Sequence, residues 1–228
     1  MVVMKRNDPT RLGRVLVALL LGAALIPALA YAKIIELGQT AQSPKASCPD
    51  KPCLAVSRTT GYQTKVGTQR AIFVAPRDGR VVAWTITLGK PTKKQIAFFD
   101  RTLGGASSAG ITVVRPGRKL YARVTGQSPM EKLKPYFGET VQFPLSRALT
   151  VKKGYIVALT VPTWAPALSV GAGNDTSWRA SRPAGKCENT EDQTAQSQPG
   201  AITRFRCLYR TARLTYTATI VTEPKPND

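Results

Sequence analysis

Histidine is absent from this 228-residue chain, and that absence removes whole classes of chemistry. A nucleophile–histidine–acid triad has no base, and a metal held by imidazole has no ligand. Carboxylates are scarce, 13 Asp and Glu against 33 Lys and Arg. A glycosidase needs two of them flanking one scissile bond. Asp50, Glu188, Glu191, Asp192, Glu223 and Asp228 fall in a polar leader, a long polar loop or the tail. Among Asp100, Glu131, Glu139 and Asp175, nothing in the spacing sets two about a bond. Long apolar runs are lacking beyond Leu29, so no membrane span is expected after the N-terminus. Helical periodicity is missing as well, and no helix beyond one turn near Met130 to Leu133 is expected. The Gly171-Ala172-Gly173-Asn174-Asp175 run lacks the third glycine and the following helix of a phosphate loop, and offers too few oxygens for calcium. No cofactor and no metal are expected.

What the chain does contain begins with a basic start, Lys5, Arg6, Arg11 and Arg14, followed by an apolar run from Val15 to Leu29 and then Ala30-Tyr31-Ala32. These are the three parts of a secretory signal peptide, expected over residues 1–32. The run is broken by Pro27 and is shorter than the roughly 20 apolar residues a span needs. Residues 33–53 read as a polar leader, 54–223 as a single β-sandwich domain, and 224–228 as a tail. A secreted or cell-envelope location follows from the signal. Four cysteines outside it then suggest disulfides, and of three possible connectivities the local pairs Cys48–Cys53 and Cys187–Cys207 are favoured because each staples its own loop. A four-thiolate zinc site lacks the short paired spacings of zinc ribbons.

The organising stretch is Arg70 to Leu88, read as a β-hairpin of Ala71 to Ala75 and Arg80 to Leu88 closed by Pro76-Arg77-Asp78-Gly79, with Gly79 taking the left-handed conformation. Alternation puts Val82, Trp84, Ile86 and Leu88 on one face, so Trp84 belongs to the core. Further strands are expected at Leu54 to Ser57, Tyr62 to Val66, Gln95 to Phe99, Ile111 to Arg115, Lys119 to Thr125, Thr140 to Leu145, Tyr155 to Val161, Ser177 to Ala180 and Phe205 to Val221. In the last, Ala212, Leu214, Tyr216, Ala218 and Ile220 alternate with a threonine-rich face. Many short strands separated by Gly and Pro indicate an all-β, antiparallel, jelly-roll-like sandwich.

Two features carry candidate binding chemistry. Alternation from Lys119 to Val124 places Lys119, Tyr121 and Arg123 on one face, two cations about an aromatic ring. Such a trio suits a sugar carboxylate, and with Tyr121 as acid or base it also suits a β-elimination. Trp164, between Pro162 and Pro166, is expected on a loop, either exposed as a sugar platform or interface anchor or closing one end of the core as a lid. A net charge of +20 favours a polyanion, whether nucleic acid, acidic polysaccharide, anionic envelope polymer or lipid surface, and charge alone does not choose among them; acidic polysaccharide or another polyanion is the expected partner, with no specific nucleic acid.

The stretches Thr59-Thr60-Gly61-Tyr62, Ala71 through Gly79, Val82-Ala83-Trp84-Thr85 and Leu149 through Leu159 resemble a group of secreted bacterial β-sandwich proteins with no assigned activity. More loosely the layout is similar to jelly-roll modules, among them carbohydrate-binding modules and some polysaccharide lyases. The chain lacks the Gln-Ile-His element of jelly-roll alginate lyases. The expectation is a non-catalytic extracellular binding or envelope-associated module. A lyase acting on acidic glycans and a purely structural envelope protein are the alternatives.

Overall fold

The computed structural model describes residues 32–41, 43–188, 195 and 198–222. The expected signal, apart from residue 32, and the tail lie outside the described residues, as do 189–194 of the long polar loop. Antiparallel strands dominate: β1 (Ile34–Leu37), β2 (Val56–Val66), β3 (Gln69–Arg70), β4 (Gly79–Thr87), β5 (Ser108–Pro116), β6 (Tyr121–Gln127), β7 (Glu131–Lys132) and β8 (Thr140–Val151). Then follow β9 (Ile156–Ala165), β10 (Leu168–Val170), β11 (Ser177–Ala180), β12 (Ile202–Arg204), β13 (Cys207–Arg210), β14 (Ala212–Leu214) and β15 (Tyr216–Thr222). Among the described residues one α-helix, α1 (Lys93–Thr102), is inserted between β4 and β5, beside two short 3₁₀ turns. No helix of the described residues is long and apolar enough to cross a membrane.

Two layers share the core, giving a β-sandwich-like all-β fold. The smaller of the two main sheets has the order β1-β15-β4-β8, the larger runs β12-β6-β5-β9-β2-β11-β13, with β3 and β7 attached to β2 and β5, and β10 and β14 form a separate two-stranded sheet. Trp84, Ile86, Tyr216, Ala218 and Ile220 of the smaller sheet are buried with Ile111, Val113, Val157, Leu159 and Val161 of the larger one. Tyr216 joins the layers directly: its hydroxyl donates to the Val157 carbonyl at 2.9 Å, and its ring stacks on Phe73 at 4.1 Å. Burial pushes the Tyr216 pKa well up.

The larger sheet curls. Its two edge strands, β12 and β13, are separated in sequence by Phe205 and Arg206 alone. Phe205 is buried against Tyr62, and Arg179 donates to the carbonyls of Phe205 and Arg206, both at 3.2 Å. Disulfides join Cys48 to Cys53 and Cys187 to Cys207, as the local pairing anticipates, and no cysteine is free for zinc.

Several local expectations are corrected. Ala71 to Ala75 and β4 do not form a hairpin: Val74 bridges Ile156 of the larger sheet, whereas β4 pairs with β15 and β8 in the smaller one. The apolar residues Phe73 and Ala75 are buried, so their alternation recorded burial, and Pro76-Arg77-Asp78 carries the chain from one sheet to the other. Asp78 secures that corner by accepting from the Lys153 backbone N–H at 2.7 Å. Gly79 is not left-handed; a Cβ there would stand 2.4 Å from the Val221 carbonyl oxygen. A bulge at Val82 shifts the phase, so Val81 is buried along with Trp84 and Ile86 while Val82 is half-buried.

Gln95 to Phe99 is helical rather than extended. Thr92 and Gln95 form a reciprocal capping box, and Ile96, Phe99 and Leu103 recur on the inward side of α1. The strands expected at Leu54 to Ser57 and Tyr62 to Val66 are one long β2, which begins only at Val56 and leaves Leu54 and Ala55 outside it. Met130 to Leu133 contains β7 rather than a helical turn. Phe205 to Val221 is divided into β13, β14 and β15 by left-handed Thr211 and the break before Tyr216, so its alternation holds only within β15.

Candidate polyanion-binding face

Strand β6 turns Ala122 and Val124 inward, leaving Tyr121 and Arg123 exposed. Its neighbours complete the outer face. The register sets Arg123 opposite Arg115 of β5 and Ile202 of β12, and Tyr121 opposite Arg204. A register shift between Val113 and Val114 buries both valines and rephases β5, so that Arg115 emerges beside Arg123. Three arginines, a tyrosine 45% exposed and an isoleucine 54% exposed thereby share one surface.

The side chains are held to different degrees. Arg204 lies 5.7 Å from the Tyr121 ring centroid in cation–π contact, and its Nε–H donates to the Lys119 carbonyl at 2.9 Å. Arg123 donates one N–H to the Gly200 carbonyl at 2.9 Å. Arg115 has neither a hydrogen bond nor an ion pair among the described residues, and no carboxylate there pairs with Arg123 or Arg204. Arg115, Pro116, Gly117, Tyr121, Arg123 and Ile202 line an open depression of about 200 Å³. Like charges directly across an antiparallel pair repel, by about 0.2–1 kcal/mol on an exposed sheet. An anion placed between Arg115 and Arg123 removes that repulsion and gains charge-assisted hydrogen bonds.

The predicted site residues fare differently. Tyr121 and Arg123 do share the face. Lys119 does not share it by alternation: both Lys119 and Leu120 are left-handed, φ 54° and 67°, in a 3₁₀ turn ahead of β6, which leaves Lys119 exposed at the rim. Trp164 is no exposed loop residue. It lies in β9 and is fully buried, with Nε1–H shared between Asp100 Oδ1 at 2.9 Å and the Gly105 carbonyl at 3.0 Å. Phe99 and Phe137 pack on its indole at 4.8 and 5.5 Å, so it fastens α1 to the sheet and is withdrawn from any binding surface. Arg115, Ile202 and Arg204 were not legible as site residues, because only strand pairing brings them beside β6.

Several of the scarce carboxylates are engaged elsewhere. Asp100 serves Trp164, Asp78 the sheet-crossing corner, and Glu36 accepts hydrogen bonds from Thr217 and Thr219. No cluster of three or more acidic, cysteine or histidine residues exists among the described residues. The tyrosines with displaced pKa values, Tyr62, Tyr209 and Tyr216, are all raised by burial. That displacement keeps them neutral. A larger polar depression of about 620 Å³ runs between the leader and the Gly171–Asp175 turn, lined in part by Lys45, Asp175 and Arg213. Arg213 is used structurally there, donating to Thr40 Oγ1 at 2.8 Å and to the Gly38 carbonyl at 3.2 Å, which ties the leader to β14. Burial lowers its pKa. None of the known family models, curated proteins or solved structures matches this chain.

Proposed function

We propose that the protein is exported and acts outside the membrane as a non-catalytic module that binds acidic polysaccharide or another anionic polymer through the β5–β6–β12 face. The observation carrying this reading is the cross-strand pair Arg115 and Arg123, opposed without an intervening acid and flanked by Tyr121 under Arg204. Guanidinium groups offer paired donors to carboxylate or sulfate, and an exposed tyrosine ring offers a stacking surface to a sugar. Lys119 stands at the rim of the same surface.

The test is binding of the purified protein to polygalacturonate and to neutral dextran at about 20 mM and about 500 mM salt, a range over which screening becomes strong. Saturable binding of the acidic polymer that weakens with salt, and weakens at least about tenfold in an Arg115→Ser, Arg123→Ser double variant, is the expected result. Undiminished binding by the double variant, or equal binding of dextran, defeats the proposal. Ultraviolet-absorbing unsaturated products, abolished by Tyr121→Phe, would instead establish the lyase alternative.

A further inference from the structure

Helix α1 presents a second cationic surface at the other end of β5. It precedes that strand, whereas Arg115 stands near the strand's far end, seven residues from Ser108 or roughly 23 Å along it. The helix is anchored from beneath. Phe99 and Leu103 are buried in a cluster with Cys48 and Trp164, the capping box closes its N-terminus, and Gln95 Nε2 donates to the Pro49 carbonyl of the Cys48–Cys53 loop at 3.2 Å.

That anchoring sorts the helix by charge. Its single acid, Asp100, accepts the hydrogen bond from Trp164 Nε1. Lys93, Lys94 and Arg101 are exposed, and Phe98 is 52% exposed between Lys94 and Arg101, four residues before and three after it on the same stripe. In the adjoining loop Lys51 and Leu54 are exposed too, while the loop's acid, Asp50, pairs with Lys45 at 3.4 Å.

We infer that this surface docks on an anionic phospholipid membrane, with Lys51, Lys93, Lys94 and Arg101 at the level of the phosphates and Phe98 and Leu54 entering the interface. The chemistry separates it from the β6 face. A phenyl ring and an isobutyl group have no hydrogen bonds to give a hydrated polymer, and their exposure is relieved by the headgroup–acyl boundary, where flanking cations meet lipid charge. The rigid helix loses little entropy on docking. With the polymer face at the opposite end of β5, the protein can hold an acidic polymer and a lipid surface at once; this last point rests on the function proposed above, whereas the lipid contact does not.

The test uses vesicles of phosphatidylcholine alone and of phosphatidylcholine mixed with phosphatidylglycerol; the neutral vesicles report any contribution from the apolar N-terminal run. Binding to the mixed vesicles only is expected. Phe98→Ser should weaken it about tenfold, and Lys94→Ser or Arg101→Ser about fivefold each. Trp84, Trp164 and Trp178 are buried, so Phe98→Trp introduces the one exposed indole. Its emission should shift to the blue and be quenched by brominated lipid. Helix variants that bind like the unaltered protein would overturn the inference. So would loss of vesicle binding in the Arg115→Ser, Arg123→Ser variant alone, or shielding of the new indole by polygalacturonate and not by vesicles. Polymer binding that fails while Phe98→Trp still reports lipid would defeat only the function proposed above.

Discussion

Arg115→Glu separates repulsion in the free protein from attraction for a ligand. Arg115 and Arg123 stand directly opposite across β5 and β6, and the Arg115 side chain has no hydrogen bond or ion pair among the described residues. Replacing one of two like charges by its opposite exchanges a cross-strand repulsion for an ion pair, each worth about 0.2–1 kcal/mol. Because both side chains are exposed, solvent screening holds the net gain to about 1 kcal/mol. For a domain of this size that raises the midpoint of thermal unfolding by about 2–4 °C. Melting curves at low salt should show the increase, and about 1 M salt, where the screening length falls to about 3 Å, should erase most of it. The same variant should lose acidic-polymer binding, so stability and affinity move in opposite directions. A midpoint that falls or stays level at low salt would mean the two guanidinium groups do not repel, and the principal reason for assigning an anion to this face would be gone.

Two further outcomes test the framework. Gly79→Ala should unfold or severely destabilise the protein, since a Cβ there meets the Val221 carbonyl carbon and oxygen at 3.1 and 2.4 Å; Gly154→Ala, left-handed but with open space around it, should cost about 1 kcal/mol, as chemical denaturation can measure. Alkaline pH should destabilise the fold. Burial raises the pKa of Tyr62, Tyr209 and Tyr216 above 10.0, so above about pH 10 the unfolded chain releases protons that the native state retains, and stability present below that pH is lost as pH climbs toward the native values. Melting midpoints that stay level from pH 8 to pH 11 would contradict it.

Much of the architecture was legible because it depends on near-neighbour chemistry. Period-two alternation identified Trp84 and the inward side of β15, and cysteine spacing identified both disulfides. The same alternation misled at Ala71 to Ala75, because a turn that buries Phe73 and Ala75 leaves the same apolar pattern as a strand: Ala71 is left-handed, Val74 N–H donates back to the Ala71 carbonyl at 2.8 Å, and only Val74 bridges another strand. Helix α1 was missed although Thr92 and Gln95 carry its capping signature; its apolar residues also fit a short strand, and capping distinguishes the two. For Trp164 the flanking prolines suggested a loop, yet Pro162 lies within β9 and Pro166 just beyond it. The candidate face was half legible. Tyr121 and Arg123 share it through local alternation, while Lys119 left it when two consecutive left-handed residues broke the strand.

By itself the sequence determined an all-β chain of strongly positive charge, without histidine and with locally paired cysteines, since composition and two-residue periodicity need no knowledge of distant partners. Tertiary structure alone decided which charges meet. Strand register opposed Arg115 to Arg123, pairing of β12 with β6 brought Arg204 onto Tyr121, and packing against Trp164 turned Asp100 inward so that α1 shows cations to solvent. Those outcomes depend on pairings between segments far apart in the chain, where a shift of one residue exchanges the inner and outer faces of a strand.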